Sequence, residues 1–270
     1  MREFWLACEN GDLTKVMQIY NLNTRMDPRV VENAFQTTCS NGNIVVAQWI
    51  LEMRPDLDMD VIQDAFQKAC RNGHLSVAQW LLEMRPDLNL DMGAENEEAF
   101  RWACYGGHLS VAQWLLEMRP DLDMGAKNEW AFREACRNGH LTVVQWLLEM
   151  RPDLDMGAMN EWAFQNACEN DHLTIAQWLL EMRPDLDMGA KNEWAFRRAT
   201  GPVATWLANT FPWCYVIRDN GTRVIIFRTE RDRRFREYTW QRRRQAMLAW
   251  KRGRLARLPD DVVREIVGWM

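Results

Sequence analysis

Histidine is scarce in this 270-residue chain: there are four, and each holds the same place in a repeated phrase. There is no Gly-rich phosphate loop, no nucleophile elbow and no histidine outside the repeats. The residue sets that run phosphoryl transfer or acyl transfer are therefore missing, and the chain reads as non-catalytic, with no cofactor implied. No run approaches the roughly 18 consecutive apolar residues of a membrane span. The opening M-R-E-F-W-L-A-C-E-N-G-D has no sustained apolar core and reads as a helix, not as a leader. With 47% hydrophobic and 26% charged residues, the composition is globular and not that of a disordered chain.

What is present is repetition. Cysteines at Cys8, Cys39, Cys70, Cys104, Cys136 and Cys168 are spaced by 31, 31, 34, 32 and 32 residues. A period near 32 marks stacked units, each too small to bury its own apolar face. The clearest copy runs from Trp130 to Glu161. Trp130, Ala131, Ala135 and Cys136 share one side of a short helix. Asn138-Gly139 stops it, because glycine accepts the left-handed conformation that ends a helix. A second helix is expected over about Leu141 to Met150, with Leu141, Val144, Leu147 and Leu148 as its apolar stripe. Thr142 and Gln145 have the spacing of a capping box. Pro152 pushes Arg151 out of the α region and ends that helix, and D-L-D-M-G-A turns to the next one.

The phrase A-C-R-N-G-H-L-T-V-V-Q-W-L-L-E in this unit is similar to the A-A-x-x-G-H-x-x-V-V-x-x-L-L-x of ankyrin repeats, and Leu154-Asp155 stands where those repeats carry Val-Asn. The chain departs from that pattern at W-A-F-R, where ankyrin repeats have T-P-L-H, and at Arg-Pro, where they have Gly-Ala. The resemblance covers about residues 1–210 and implies an all-α, ankyrin-like helical-repeat solenoid of about seven repeats. Degenerate repeats of this style resemble those of ankyrin proteins in large DNA viruses, which implies a host cytoplasmic or nuclear setting. The resemblance also implies a non-covalent protein-binding scaffold, expected to be a monomer.

Repeat one is more polar and reads as a cap. Repeats two and three run over about 32–60 and 61–94, and repeats four to six over about 95–190. Repeat seven lacks its G-H-L, but Val203, Trp206 and Leu207 are expected to form a short second helix. Over 211–229 the period changes to two around Asn220-Gly221, which predicts a β-hairpin. Residues 230–270 read as a basic helix followed by a short amphipathic one, a helical cap. Residues 211–270 hold 15 Lys and Arg against 7 Asp and Glu, while residues 1–210 hold 18 against 31. An acidic array thus precedes a basic tail. The basic segment would suit nucleic acid or anionic lipid, or form a solvated helix face; no groove-reading motif supports nucleic acid.

The Cys-x-x-x-His pairs at 70/74, 104/108, 136/140 and 168/172 do not predict a metal, because zinc needs about four convergent ligands. Equivalent cysteines in stacked units lie about 10 Å apart, beyond the roughly 7 Å a disulfide tolerates. They read as small buried apolar residues. Partner binding is expected where otherwise similar repeats differ, since the core constrains the rest. In the first helix of each repeat those positions are Gln67, Lys68 and Arg71; Arg101, Trp102 and Tyr105; Arg133, Glu134 and Arg137; and Gln165, Asn166 and Glu169. Resemblance to ankyrin proteins places such residues on a concave face. Trp102 and Tyr105 are either exposed anchors there, or Trp102 fills the space left where Glu98 replaces the usual Trp. Finally, L-P-D-D-V-V-R-E-I-V-G-W-M resembles the first helix of an F-box, through Leu258, Pro259, Val262, Val263, Ile266 and Val267. That resemblance implies docking of the Skp adaptor of a ubiquitin ligase; the other reading is an amphipathic cap.

Overall fold

The computed structural model describes residues 2–23, 26–84, 94–184, 186–187, 190–210, 214–219 and 222–227. They fall into two compact units, residues 1–154 and 155–270. In the first unit the helices come in pairs: α1 (Arg2–Asn10) with α2 (Leu13–Leu22), α3 (Pro28–Ser40) with α4 (Ile44–Met53), α5 (Met59–Arg71) with α6 (Leu75–Met84), α7 (Ala94–Tyr105) with α8 (Leu109–Met118), and α9 (Ala126–Arg137) with α10 (Leu141–Met150). The first helices pack in series, α1 on α3, α3 on α5, α5 on α7 and α7 on α9.

The series follows from one residue per pair. Phe4, Phe35, Phe66, Phe100 and Phe132 are buried, each with a buried cysteine four residues on, so both share the inward face of their helix. Burying one such ring contributes about 1.5–3 kcal/mol, but a lone pair cannot cover it. The next pair does. Trp80 lies 6.5 Å from Phe35, Trp114 lies 6.3 Å from Phe66, and Trp146 lies 6.2 Å from Phe100, centroid to centroid.

A second series runs through the turns. His140 Nε2 lies 3.0 Å from the Tyr105 carbonyl of the preceding pair, and His108 meets the Arg71 carbonyl in the same way. In the second pair Asn43 does this work, donating at 2.9 Å to both the Cys8 and Glu9 carbonyls. The ring needs space, and glycine leaves it. A Cβ on Gly42 would stand 2.5 Å from His74 Nδ1, and one on Gly73 or Gly107 would collide with His108 or His140. His108 and His140 are therefore committed to backbone carbonyls. Among the described residues no group of three or more His, Cys, Asp or Glu is arranged to hold a metal.

In the second unit, α11 (Ala158–Glu169) packs on α12 (Leu173–Met182) and α13 (Ala190–Arg198), and α12 packs on α14 (Gly201–Thr210). Val203 and Leu207 of α14 are buried. Here the glycine of the turn is replaced by Asp171, and the last repeat has no histidine to accommodate. Asp171 Oδ1 instead accepts the Val203 N–H at 2.9 Å and satisfies a free donor at the start of α14. Strands β1 (Cys214–Asp219) and β2 (Thr222–Phe227) pair antiparallel, with Cys214 opposite Phe227 and Asp219 opposite Thr222. The turn at Asn220-Gly221, the basic and terminal helices of 230–270 and the six F-box-like residues Leu258, Pro259, Val262, Val263, Ile266 and Val267 lie outside the described residues. Among the described residues no helix is long and apolar enough to cross a membrane.

The expected capping box does not form. His140 caps α10 without a side-chain capping bond, and Thr142 sits inside the helix. The left-handed Gly139, at φ 85°, places the N-cap at His140, two residues earlier than the Thr142–Gln145 spacing implies.

Candidate interaction face

Four of the variable first-helix positions of the first unit, Arg71, Arg101, Trp102 and Tyr105, meet around one aromatic cluster. Trp102 and Tyr105 on α7 are half-buried and contact each other edge to face, at 5.3 Å. Trp130 on α9 joins them, stacked on Tyr105 at 6.1 Å and edge-on to Trp102 at 5.5 Å. On the opposite side, the Arg71 guanidinium from α5 sits 4.5 Å from the Trp102 ring centre and 5.2 Å from that of Tyr105. Arg101 lies 5.0 Å over Trp130. Trp102 is neither fully buried nor fully exposed. It occupies the ground beside Glu98, donating its Nε1–H to Oε1 at 3.0 Å, yet its ring keeps contact with solvent.

Polar bridges fix this face, both between helices and within them. Gln67 donates to the other Glu98 oxygen at 3.2 Å. Lys68 holds Gln36 at 2.9 Å and Asp64 at 2.7 Å. Arg137 pairs with Glu134 at 3.4 Å. Gly106 stands where neighbouring repeats have Asn72 and Asn138; a Cβ there would run into the Arg71 carbonyl. The glycine lets the end of α7 come close to α5, and that closes Tyr105 over Arg71.

Four of the positions are not surface positions. Arg101, Arg133, Glu134 and Gln165 are only 6%, 6%, 7% and 3% exposed. The reason lies at the start of the helix. Lys127, Asn128 and Glu129 all take left-handed backbone angles, with φ 56°, 58° and 58°, so regular helix begins only after them. That turn leaves carbonyls facing inward. Arg133 satisfies two of them, donating Nε to Asn128 at 2.8 Å and Nη2 to Lys127 at 3.2 Å. In the second unit Met159, Asn160 and Glu161 repeat the turn, and Gln165 donates to the Asn160 carbonyl at 2.7 Å. Burial pulls the Arg133 guanidinium below its ordinary pKa, opposed by Glu134 and Glu129.

The same turn explains the Arg-Pro departure. The glutamate at its end is buried and pairs with the arginine that closes the second helix of its own repeat. Glu129 meets Arg151 with two contacts of 3.3 Å. Glu97 meets Arg119 at 3.7 Å, and Glu161 meets Arg183 at 3.2 Å. Each arginine thereby ties the end of one repeat to its beginning. Burial raises the Glu97 carboxyl above its ordinary value, with Arg119 opposing.

The second unit carries a smaller cluster. Glu169 accepts from Trp194 Nε1 at 3.2 Å and from Arg198 Nε at 2.9 Å, and Arg198 lies 5.2 Å over the Trp194 ring. Asn166 is occupied with the Trp162 carbonyl at 3.0 Å.

The sequence reading passed over two parts of the face. Trp130, expected to share one side of its helix with Ala131, Ala135 and Cys136, is not among the candidate positions, yet it is half-buried in the aromatic cluster. A recess of about 380 Å³ is lined by Trp5, Asn33, Gln36, Thr37, Ser40 and Lys68. Trp5, Gln36, Thr37 and Ser40 hold in repeats one and two the positions that Gln67, Lys68 and Arg71 hold in repeat three, so the repeat alignment itself carried the signal.

Comparison with known families agrees with this architecture. Residues 100–192 match the family described as ankyrin repeats (3 copies), and residues 66–116 match that described as ankyrin repeats (many copies). No curated protein matches the chain. Over residues 66–192 the chain is thus similar to ankyrin repeats.

Proposed function

We propose that the chain is a non-catalytic protein-binding scaffold whose docking surface in the first unit is the outer face of α5, α7 and α9. The observation that carries this reading is the cluster of Arg71, Trp102, Tyr105 and Trp130. Three aromatic rings and an arginine in contact with two of them sit together, half-open to solvent, on helices already held through their core. Trp, Tyr and Arg are the side chains that dominate the energetics of protein interfaces. Lys68, Gln67 and Arg137 extend the surface along the helices, and the recess by Gln36 and Ser40 continues it.

The test is capture of partners from extract by the full chain and by a Trp102→Ala, Trp130→Ala double variant. Proteins held by the native chain and lost from a correctly folded variant identify ligands of this face. An unchanged set of captured proteins overturns the assignment.

A second reading concerns the C-terminus. Leu258, Pro259, Val262, Val263, Ile266 and Val267 match the apolar frame of an F-box first helix, which supports docking of the Skp adaptor and a role in ubiquitin ligation. A pull-down of that adaptor by the full chain, but not by a chain ending at Arg257, is the expected result. Binding by neither form removes the reading and leaves the scaffold.

A further inference from the structure

We propose that the Arg71 cluster recognises a carboxylate on its protein partner, carried next to a large apolar or aromatic side chain. This deepens the scaffold reading and rests on it.

The charged groups around the cluster separate into two kinds. Lys68 is held by Asp64 and Gln36, and Arg137 is paired with Glu134. Glu98, the carboxylate of α7 nearest the rings, accepts from Trp102 and Gln67. Arg71 differs. It is exposed, its guanidinium carbon lies 4.5 Å from the Trp102 ring centre and 5.2 Å from that of Tyr105, and among the described residues no acceptor takes a hydrogen bond from it. A guanidinium held over aromatic rings leaves its fork of N–H donors available to a partner. That fork matches a carboxylate with two parallel hydrogen bonds. Contact with the rings also limits the side-chain freedom that an exposed arginine otherwise loses on binding. Trp130 and the open edges of Trp102 and Tyr105 form an apolar shelf beside it. The ligand that satisfies both parts is an acidic residue adjacent to an apolar one.

A polyanion fits less well. Residues 1–210 carry 18 Lys and Arg against 31 Asp and Glu, so a chain of phosphates meets net repulsion along the array. A single carboxylate in an otherwise neutral or basic segment meets one local cation and an attractive surround. The occupant is therefore a protein segment of that kind, not a nucleic acid.

The experiment is selection of a random dodecapeptide display library on the full-length chain. Parallel selections use Arg71→Gln and a Trp102→Ala, Trp130→Ala double variant, each checked for native thermal stability. The expected result is a consensus with one Asp or Glu beside Phe, Trp or Leu. Its synthetic peptide should bind Arg71→Gln about tenfold to a hundredfold more weakly, the range of one charge-assisted contact. The matching Gln peptide should show the same loss on the native chain and no further loss on Arg71→Gln. A consensus without an acid, or an acidic one indifferent to Arg71→Gln, overturns the carboxylate proposal. In that case, peptides that still require Trp102 and Trp130 leave the scaffold face standing. Peptides indifferent to all three residues, or no consensus at all, remove both.

Discussion

Arg151→Leu isolates the buried ion pair that replaces the Gly-Ala of ordinary repeats. Its guanidinium meets both oxygens of Glu129 at 3.3 Å and Asp153 at 3.5 Å. The two partners are not equivalent. The Glu129 side chain is 11% exposed, whereas that of Asp153 is 80% exposed. Loss of the Asp153 contact costs well under about 1 kcal/mol, since water replaces it. Loss of the Glu129 contact leaves a carboxylate in the protein with no counter-charge, which costs about 3 kcal/mol. At roughly 2–4 °C per kcal/mol for a chain of this size class, the melting point should fall by about 6–12 °C. Glu129→Gln alone should cost less, about 1 kcal/mol, because Arg151 is more open and keeps Asp153. The decisive species is the double variant. With both charges gone no ion is stranded, so Glu129→Gln with Arg151→Leu should be more stable than Arg151→Leu alone by at least about 1 kcal/mol. Urea unfolding followed by far-UV circular dichroism on the four proteins closes the cycle. A double variant no more stable than Arg151→Leu, or a single loss below about 1 kcal/mol, refutes the argument that the pair is a buried tie.

Gly107→Ala should destabilise by about 2–4 kcal/mol, from a left-handed alanine and from crowding of the His140 ring; removing that ring with His140→Ala should return the crowding part, and additive losses in thermal unfolding would refute the coupling. Glu97→Gln should become more stabilising as pH rises. The folded Glu97 carboxyl titrates above its ordinary value of 4.5 because burial disfavours its charge. Its contribution is therefore fully present below that ordinary value and lost as pH rises through the raised one. The melting-point difference, variant minus native, should be larger at pH 7 than at pH 4, and a pH-independent difference would contradict this sign. The repeat cysteines should resist alkylation in the folded chain. Burial pushes the Cys39 thiol up to about 12 and raises Cys70 and Cys104 further, so neutral pH supplies almost no accessible thiolate. Peptide mass spectrometry after iodoacetamide should find these positions modified only in urea, and fast labelling without denaturant would refute their burial.

The helix pairs were legible because local and tertiary demands agree. The apolar stripe of Leu141–Met150, the glycine before it and the proline after it all favour one helix, and α10 has those bounds. The left-handed turn at Lys127–Glu129 was not legible. Nothing in K-N-E demands three left-handed residues; their cost, about 1–2 kcal/mol each, is offset by Arg151, which is distant in sequence, and by Arg133 further along the same helix. The candidate face shows the limit of arguing exposure from variation. Arg133 and Gln165 differ in charge and shape, and yet both are buried. What the fold requires there is an N–H donor long enough to reach a backbone carbonyl, and arginine and glutamine meet that demand equally. Variation marks solvent only where packing is the constraint. Where the constraint is a single hydrogen bond, chemically unlike residues exchange freely in the interior. Position 171 makes the complementary point. Glycine is needed in these turns to admit the ring of the following repeat. The aspartate at 171 faces a last repeat that brings no ring, and its carboxylate takes the vacated place and holds the start of α14. A departure from the repeat is thus intelligible when the neighbour it meets departs as well. That is why the Arg71 side chain, lying under a tryptophan and a tyrosine unique to repeat four, is more informative about function than the regular repeats around it.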